Sequence, residues 1–218
     1  MAELKKIAIL TSGGDSPGMN AATRAAARSA IAKGIEVVGI MRGFEGLLDG
    51  DFRPLGARDV GGIIHRGGTI LQTARSSRFM EPQWQDRAAG NLLDAGIQGL
   101  VVIGGDGSFR GAEELCKRGI AVAGIPGTID NDIAGTDLTI GFRTAVETAL
   151  DAVMRLRDTA SSHDRLFIVE VMGRRSGFLA LDVAVAGGAE AVMVPEVQFS
   201  LGKLVDRLHE ARRKGKTH

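Results

Sequence analysis

A single cysteine, Cys116, stands in the 218 residues. That rules out an internal disulfide and fits a reducing compartment. No apolar run is long enough to span a bilayer, and Met1 to Lys6 leads into a short strand without the apolar core of a signal peptide. The expectation is a cytoplasmic protein with no membrane partner. Charge of one sign is also missing: 27 Lys and Arg balance 26 Asp and Glu, a net charge of +1. A nucleic-acid partner is therefore not expected, and any basic site must be local. Short repeats, low-complexity tracts and flexible linkers are absent. So are the Gly-Lys-Ser/Thr ending of a Walker A loop and a Gly-x-Gly after the first strand. His65 and His209 have no metal-ligand partners at a recognisable spacing, and they read as surface or packing residues.

What is present is an ordinary soluble composition, 44% hydrophobic and 24% charged, with 31 glycines clustered after apolar runs. Apolar runs at Ile7–Leu10, Glu36–Met41, Leu100–Ile103, Ala121–Ile125, Leu166–Val171 and Ala191–Val194 read as strands. Helical stretches stand between them, at about Asn20–Lys33, Gln83–Ala95, up to Lys117, Gly141–Thr159, after Gly177, and from Leu201. Asn20 is expected as an N-cap, and Pro126-Gly127 as the stop of the Ala121 strand. Residues 42–66 read as irregular. Phe142, Val146, Leu150, Val153 and Met154 form an apolar helix face. Trp84 and Met154 are expected to pack, His163 to order a loop, and Cys116 to be an inert thiol. Alternation of strand and helix predicts an α/β fold: Rossmann-like, three-layer α/β/α, with a mainly parallel sheet. A second, smaller α/β domain is expected to be incomplete. The division is placed as 1–140 and 141–218. Gly215 reads as a helix stop with another strand expected next, so the ending reads as a cut.

Three strands run into polar loops: Gly13-Gly14-Asp15, Gly104-Gly105-Asp106-Gly107-Ser108, and Pro126-Gly127-Thr128-Ile129-Asp130-Asn131-Asp132. Glycine lets backbone N–H groups approach phosphate oxygens, and a helix start after the first two loops favours an anion. One such loop is more often a turn, with Asp and Asn bonding their own backbone. Three at strand ends in one α/β chain point to phosphate binding. Phosphoryl transfer needs a metal ligand, cations and a base. Asp106 is a candidate Mg²⁺ ligand, Arg75 and Arg174 candidate cations, and Asp130 a candidate base.

Gly13 to Asn20, the Gly67-Gly68-Thr69 loop to Arg75, Gly104 to Ser108, Pro126 to Asp132 and Glu170 to Arg174 stand in one order. In that order the chain resembles the bacterial ATP-dependent 6-phosphofructokinase family over essentially its whole length. The resemblance implies that Asp130 takes the proton of the sugar 1-hydroxyl. Thr128 and Arg75 would contact the transferring phosphoryl group, and Asp106 would hold Mg²⁺. Asp132 would support the metal and phosphate end. Gly14, Arg75, Ser76, Gly105, Asp106, Gly107 and Ser108 would lie along ATP. Ile129, Met172, Gly173 and Arg174 would line the fructose 6-phosphate side, and Arg165 would reach the sugar phosphate of a neighbouring subunit in a homotetramer.

Pyrophosphate-dependent relatives carry Asp and Lys where this chain has Gly107 and Gly127, so glycine at both places implies ATP. A regulatory site for ADP and phosphoenolpyruvate is implied at Arg24, Arg28, Arg157, Gly188, Glu190, Lys214, Lys216 and His218. From the residues alone, Arg24 and Arg28 read as a solvated helix face, and it is the resemblance that implies the site. Three departures from the family pattern are Ala57, Ser76 and Arg110. Family chains continue past this one and there supply further sugar-phosphate ligands, so a non-catalytic nucleotide-binding remnant is the rival expectation. Another kinase with a Gly-Gly-Asp-Gly loop, for NAD or a lipid, would lack the 126–132 stretch.

Overall fold

The computed structural model describes residues 4–163 and 165–215. By mutual contact they divide into two compact units, one ending at Thr128 and the other beginning at Ile129.

In the first unit, strands β1 (Lys6–Thr11), β2 (Glu36–Ile40), β3 (Phe52–Pro54), β4 (Gly99–Gly104) and β5 (Ala121–Thr128) lie in the order β3-β2-β1-β4-β5. β1 pairs in parallel with β2 on one side and β4 on the other, β5 is parallel to β4, and β3 runs antiparallel to β2. The intervening helices are α1 (Met19–Ile31), α2 (Gly43–Asp49), α3 (Pro82–Asp94) and α4 (Asp106–Lys117).

Side chains alternate across each strand. Ala8, Leu10, Ile40, Leu100 and Val102 therefore share one face, where they bury against Phe44, Leu47, Leu48, Ala88, Leu92, Ala112 and Leu115 of α2, α3 and α4. Ile7 and Ile9 turn to the other face, where α1 touches β1, β2 and β4 through its small, alanine-rich side. Each fully buried Leu or Ile contributes about 1.5–3 kcal/mol. The chain leaves β1 for β2 on one side and returns to β4 on the other. That reversal opens a crevice at the C-terminal ends of β1 and β4, where open α/β sheets bind ligands.

The second unit contains the two-residue strand β6 (Ile140–Gly141) and helices α5 (Phe142–His163), α6 (Phe178–Gly187) and α7 (Leu201–Arg213). Phe142 and Val146 of α5 bury against Leu179 and Val183 of α6. Among the described residues no helix is long and apolar enough to cross a membrane.

The α/β class and the mainly parallel sheet agree with expectation, but several local expectations do not hold. The stretch expected to be irregular contains α2 and β3. Its glycines concealed α2, yet Gly46 sits there because a Cβ would run into the Met41 carbonyl, while Phe44, Leu47 and Leu48 bury. β5 does not stop at Pro126-Gly127; it stays in register with β4 to Pro126, opposite Gly104, and ends at Thr128. The proline ring's fixed φ suits extended backbone at a strand end. Nor is β5 buried: Ala121, Ala123 and Gly124 are exposed.

Leu166–Val171 and Ala191–Val194 are not strands in the described chain, and Ile168 is 78% exposed. An apolar run becomes a strand only when a neighbour takes up its backbone groups. Met154 is 50% exposed and does not pack, being one position off the Val146–Val153 face. α5 runs on to His163, past the Thr159 expected as its end, and Asn20 lies inside α1, whose N-cap is Gly18.

Thr23 of α1 is fully buried, and its Oγ1 has no hydrogen-bond partner among the described residues. An unpaired buried hydroxyl costs about 1–3 kcal/mol. Thr23→Val keeps the shape and removes the hydroxyl, so it should raise unfolding free energy by about 1 kcal/mol in urea denaturation. An unchanged or lower midpoint would contradict this account of the site.

Candidate active site

The loops following β1 and β4 touch at the crevice. Ser12 N donates to the carbonyl of Ile103 at 3.0 Å. A Cβ on Gly104 would lie 2.5 Å from Ser108 Oγ and 2.6 Å from Ser12 O, so only glycine lets the two loops approach this closely. Gly13 takes φ 86° and would place a Cβ 3.5 Å from the same Ser108 hydroxyl. β5 adds Thr128, whose side chain lies 3.6 Å from where a Cβ of Gly105 would be. Gly14, Gly105, Gly107, Ser108 and Thr128 are thus gathered at one end of the first unit's sheet. Gly14 and Gly107 have open space around them, and Ser108 is buried. The glycine-rich loop after β4 is shorter than the sequence suggested, because Asp106, Gly107 and Ser108 already form the first turn of α4 behind Gly105 as N-cap.

Residues 66–78 border the same place. Asn20 holds their start: its Nδ2 donates to the carbonyls of Arg66 (3.0 Å) and Gly67 (3.2 Å), and its Oδ1 accepts from Ile70 N at 2.8 Å. Thr11 Oγ1 donates to Gln72 O and Thr73 Oγ1 to Gly13 O, at 2.9 and 2.6 Å. Neither Asn20 nor Thr73 stood out as functional in the sequence. Burial of Asn20, at 1% exposure, is a tertiary fact. Arg75 is exposed, and Ser76 Oγ accepts from Phe79 N at 3.2 Å.

Asp106 is exposed and pairs with Arg110 Nη2 at 2.7 Å, one turn along α4. Among the described residues no three acidic, His or Cys side chains gather as a metal cage. One accessible carboxylate at a helix start fits Mg²⁺, which takes one or two carboxylates and completes its shell with phosphates and water.

In the second unit Asp130 is 9% exposed, and its carbonyl accepts from Ser176 Oγ at 2.7 Å. Its pKa is raised above the ordinary carboxylate value, first by burial and then by the neighbouring Asp132 charge, with Arg174 opposing. Asn131 takes φ 52° and binds its own loop, accepting from Thr139 N at 2.9 Å. That bend separates Asp130, turned inward, from the exposed Asp132. Gly173 takes φ 145°, where a Cβ would collide with Ser176 O, and Ser176 N closes the turn onto Gly173 O at 2.8 Å. Ser176 therefore joins the 173–176 turn to Asp130. Its role is not visible in the sequence, since a lone serine carries no spacing signal. Arg174 and Met172 are exposed on the same turn, Ile129 packs partly against the α5–α6 core, and Arg165 is exposed just past α5.

The residues expected to bind effectors belong to both units. Arg24 donates to Val60 O at 2.5 Å, and Arg28 is exposed on α1. In the second unit Arg157 donates to Gly187 O at 2.7 Å, and its Nη1 is 3.2 Å from where a Cβ of Gly188 would stand. Arg207 of α7 donates to Glu190 O at 2.9 Å, and Lys214 pairs with Glu210 at 2.6 Å. Arg157 and Gly188 are thus neighbours, whereas Lys214 is engaged along its own helix. Lys216 and His218 lie outside the described residues.

The phosphofructokinase family model matches residues 6–218. The chain is 58% identical to an ATP-dependent 6-phosphofructokinase of Listeria welshimeri over 215 residues, 99% of this chain and 67% of the relative. It is 56% identical to ATP-dependent 6-phosphofructokinase 1 of Thermus thermophilus over 216 residues, covering 98% and 66% of the two chains. The solved phosphofructokinase of Saccharomyces cerevisiae superposes with a TM-score of 0.89 at 41% identity, covering 98% of this chain and 32% of that one. The chain therefore spans about two thirds of the length of the curated bacterial relatives it matches.

Asp132→Asn removes the second cause of the raised Asp130 pKa, so the Asp130 carboxyl should titrate at lower pH in the variant. An acid with a raised folded pKa favours the native state below its unfolded pKa and loses that contribution as pH rises through the folded pKa. The variant should accordingly lose less stability across that interval. Carbon-detected NMR titration of Asp130 checks the shift, and an unchanged midpoint would remove Asp132 as a cause.

Proposed function

Since this chain belongs to the phosphofructokinase family, we propose that the whole protein is an ATP-dependent 6-phosphofructokinase. It transfers the γ-phosphoryl group of ATP to the 1-hydroxyl of fructose 6-phosphate, giving fructose 1,6-bisphosphate, ADP and a proton. The observation that carries this reading is Asp130: a buried carboxylate with a raised pKa inside the 126–132 stretch, anchored through its backbone by Ser176.

Asp130 is the base. Its carboxylate accepts the proton of the 1-hydroxyl as that oxygen attacks the γ-phosphorus and the bond to the β–γ bridging oxygen breaks. Arg75, Arg174 and the Thr128 hydroxyl offset the charge that spreads over the transferring group. Gly14, Ser76, Gly105, Gly107 and Ser108 receive the nucleotide, and the open space around Gly14 and Gly107 lets its phosphates approach the backbone there. Asp106 would hold Mg²⁺ together with phosphate oxygens and release Arg110 to do so. The bound ion would supply charge neutralisation at the phosphates. Ile129, Met172, Gly173 and Arg174 take the sugar phosphate, with Arg165 serving a neighbouring subunit of a cytoplasmic homotetramer. ADP and phosphoenolpyruvate act as effectors at Arg24, Arg28, Arg157, Gly188, Glu190 and Lys214. Glycine at 107 and 127 favours ATP over pyrophosphate. A side chain at buried Gly127 would meet Ile103 and Met19, whereas Gly107 faces open space.

In the full-length protein, Asp130→Ser should lower kcat by about 10²–10⁴-fold. Activity of the unsubstituted protein should fall on the acid side as pH drops through the raised Asp130 pKa, because a base must be ionised. Turnover unaffected by the substitution would remove Asp130 from this role. A coupled assay on the present chain beside calorimetric Mg-ATP titration separates an enzyme from a binding remnant. Gly107→Asp should weaken Mg-ATP by about tenfold without loss of fold, since a carboxylate is added beside phosphates in open space. Unweakened binding would overturn the donor assignment.

A further inference from the structure

The exposed Arg75 and the half-buried Ser76 belong to a segment that is irregular from residue 66 until the 3-10 turn Arg78–Met80. Asn20, Thr11 and Gly13 hold its first half through the hydrogen bonds given above. Its far end is held by Arg78. The Arg78 Nε donates to Glu45 Oε2 at 3.0 Å, and its Nη2 reaches both the same oxygen and Asp49 Oδ1, the latter at 3.0 Å. Arg42 Nη2 lies 3.2 Å from the other oxygen of Asp49 and 3.7 Å from Asp51. The Arg78 guanidinium also stands over the Trp84 ring, 5.4 Å from its centroid. Both carboxylates belong to α2, the short helix absent from any reading of the sequence.

We propose that Arg78 is a positioning residue for nucleotide binding, bridging Glu45 and Asp49 so that α2 fixes the segment presenting Arg75 and Ser76. This rests on the reading of those two residues as nucleotide contacts. The link to Ser76 is short along the chain: Arg78, which grips Glu45, stands two residues after it. Glu45 is well covered, its side chain 16% exposed, so the pair is less screened than a surface one. The planar fork matters because two nitrogens meet one carboxylate while one of them also reaches the next, which a single ammonium cannot reproduce.

The segment does not depend on Arg78 to stay folded. Phe79 is buried with its ring 4.3 Å from Phe44, and its carbonyl accepts from Gln85 Nε2 at 2.9 Å. Removing the charge should therefore loosen Arg75 and Ser76 while Phe79 remains anchored.

The test compares the unsubstituted chain, Arg78→Met and Arg78→Lys by calorimetric Mg-ATP titration, with Tm measured on each. Arg78→Met should weaken Mg-ATP by about tenfold at a nearly unchanged Tm, because small misplacement of binding groups is costly. Arg78→Lys should recover part of the loss, since it restores the charge without the fork. Equal affinity of Arg78→Met and the unsubstituted chain would overturn the positioning role, as would a loss of affinity matched by a large drop in Tm. No Mg-ATP binding by the unsubstituted chain would overturn the nucleotide reading itself, and the role of Arg78 with it.

Discussion

At Gly104 the backbone of β4 passes against the loop that follows β1, and an added methyl group would stand within 2.6 Å of both the Ser108 hydroxyl and the Ser12 carbonyl. Protein interiors cannot absorb such an overlap without moving backbone. The contact sets the distance between two loops, and the loops set everything else at that end of the sheet. Ser108 packs beside Gly13, Ser12 bonds to Ile103, and Thr128 at the end of β5 comes level with Gly105. Three strands end together there, with glycine at 13, 104 and 105 and small hydroxyl side chains between them.

Within each unit further loops are fastened by side chains. Asn20 and Thr11 secure the start of the 66–78 segment, and Arg78 secures its end through α2. In the second unit Ser176 ties the 173–176 turn to the backbone of Asp130. Each fastening is a side-chain hydrogen bond to loop backbone or to a carboxylate of α2. Such bonds rigidify because their partners would be costly to leave unpaired. Arg75, Asp106 and Asp132, which the proposed function assigns to charged ligands, are by contrast exposed.

The α/β class and the order of the first unit's elements were legible in the sequence, because β1, β2 and β4 are short apolar runs and α3 and α4 keep a helical period. α2 was not legible, since Gly43, Gly46 and Gly50 read as breakers although Gly46 serves a close approach to Met41. Leu166–Val171 was read as a strand because hydrophobicity records a preference for burial, not the presence of a pairing neighbour. Met154 shows the same limit at one residue: the helical period allowed it on the packed face, and the position of α6 excluded it.

By itself the sequence determined which residues are capable of chemistry: the carboxylates of Asp106, Asp130 and Asp132, the guanidinium groups, and glycine where backbone must be bare. These are properties of side chains and of local order along the chain. Only the tertiary structure decided which of them are buried, which are paired and which are held still. Asp130 and Asp132 are two residues apart and chemically identical, yet one is enclosed with a raised pKa and the other is exposed, because the left-handed turn at Asn131 points them into different surroundings. Solvent access and the neighbours of a charge are set by folds that bring distant residues together. No spacing within a single stretch can encode them.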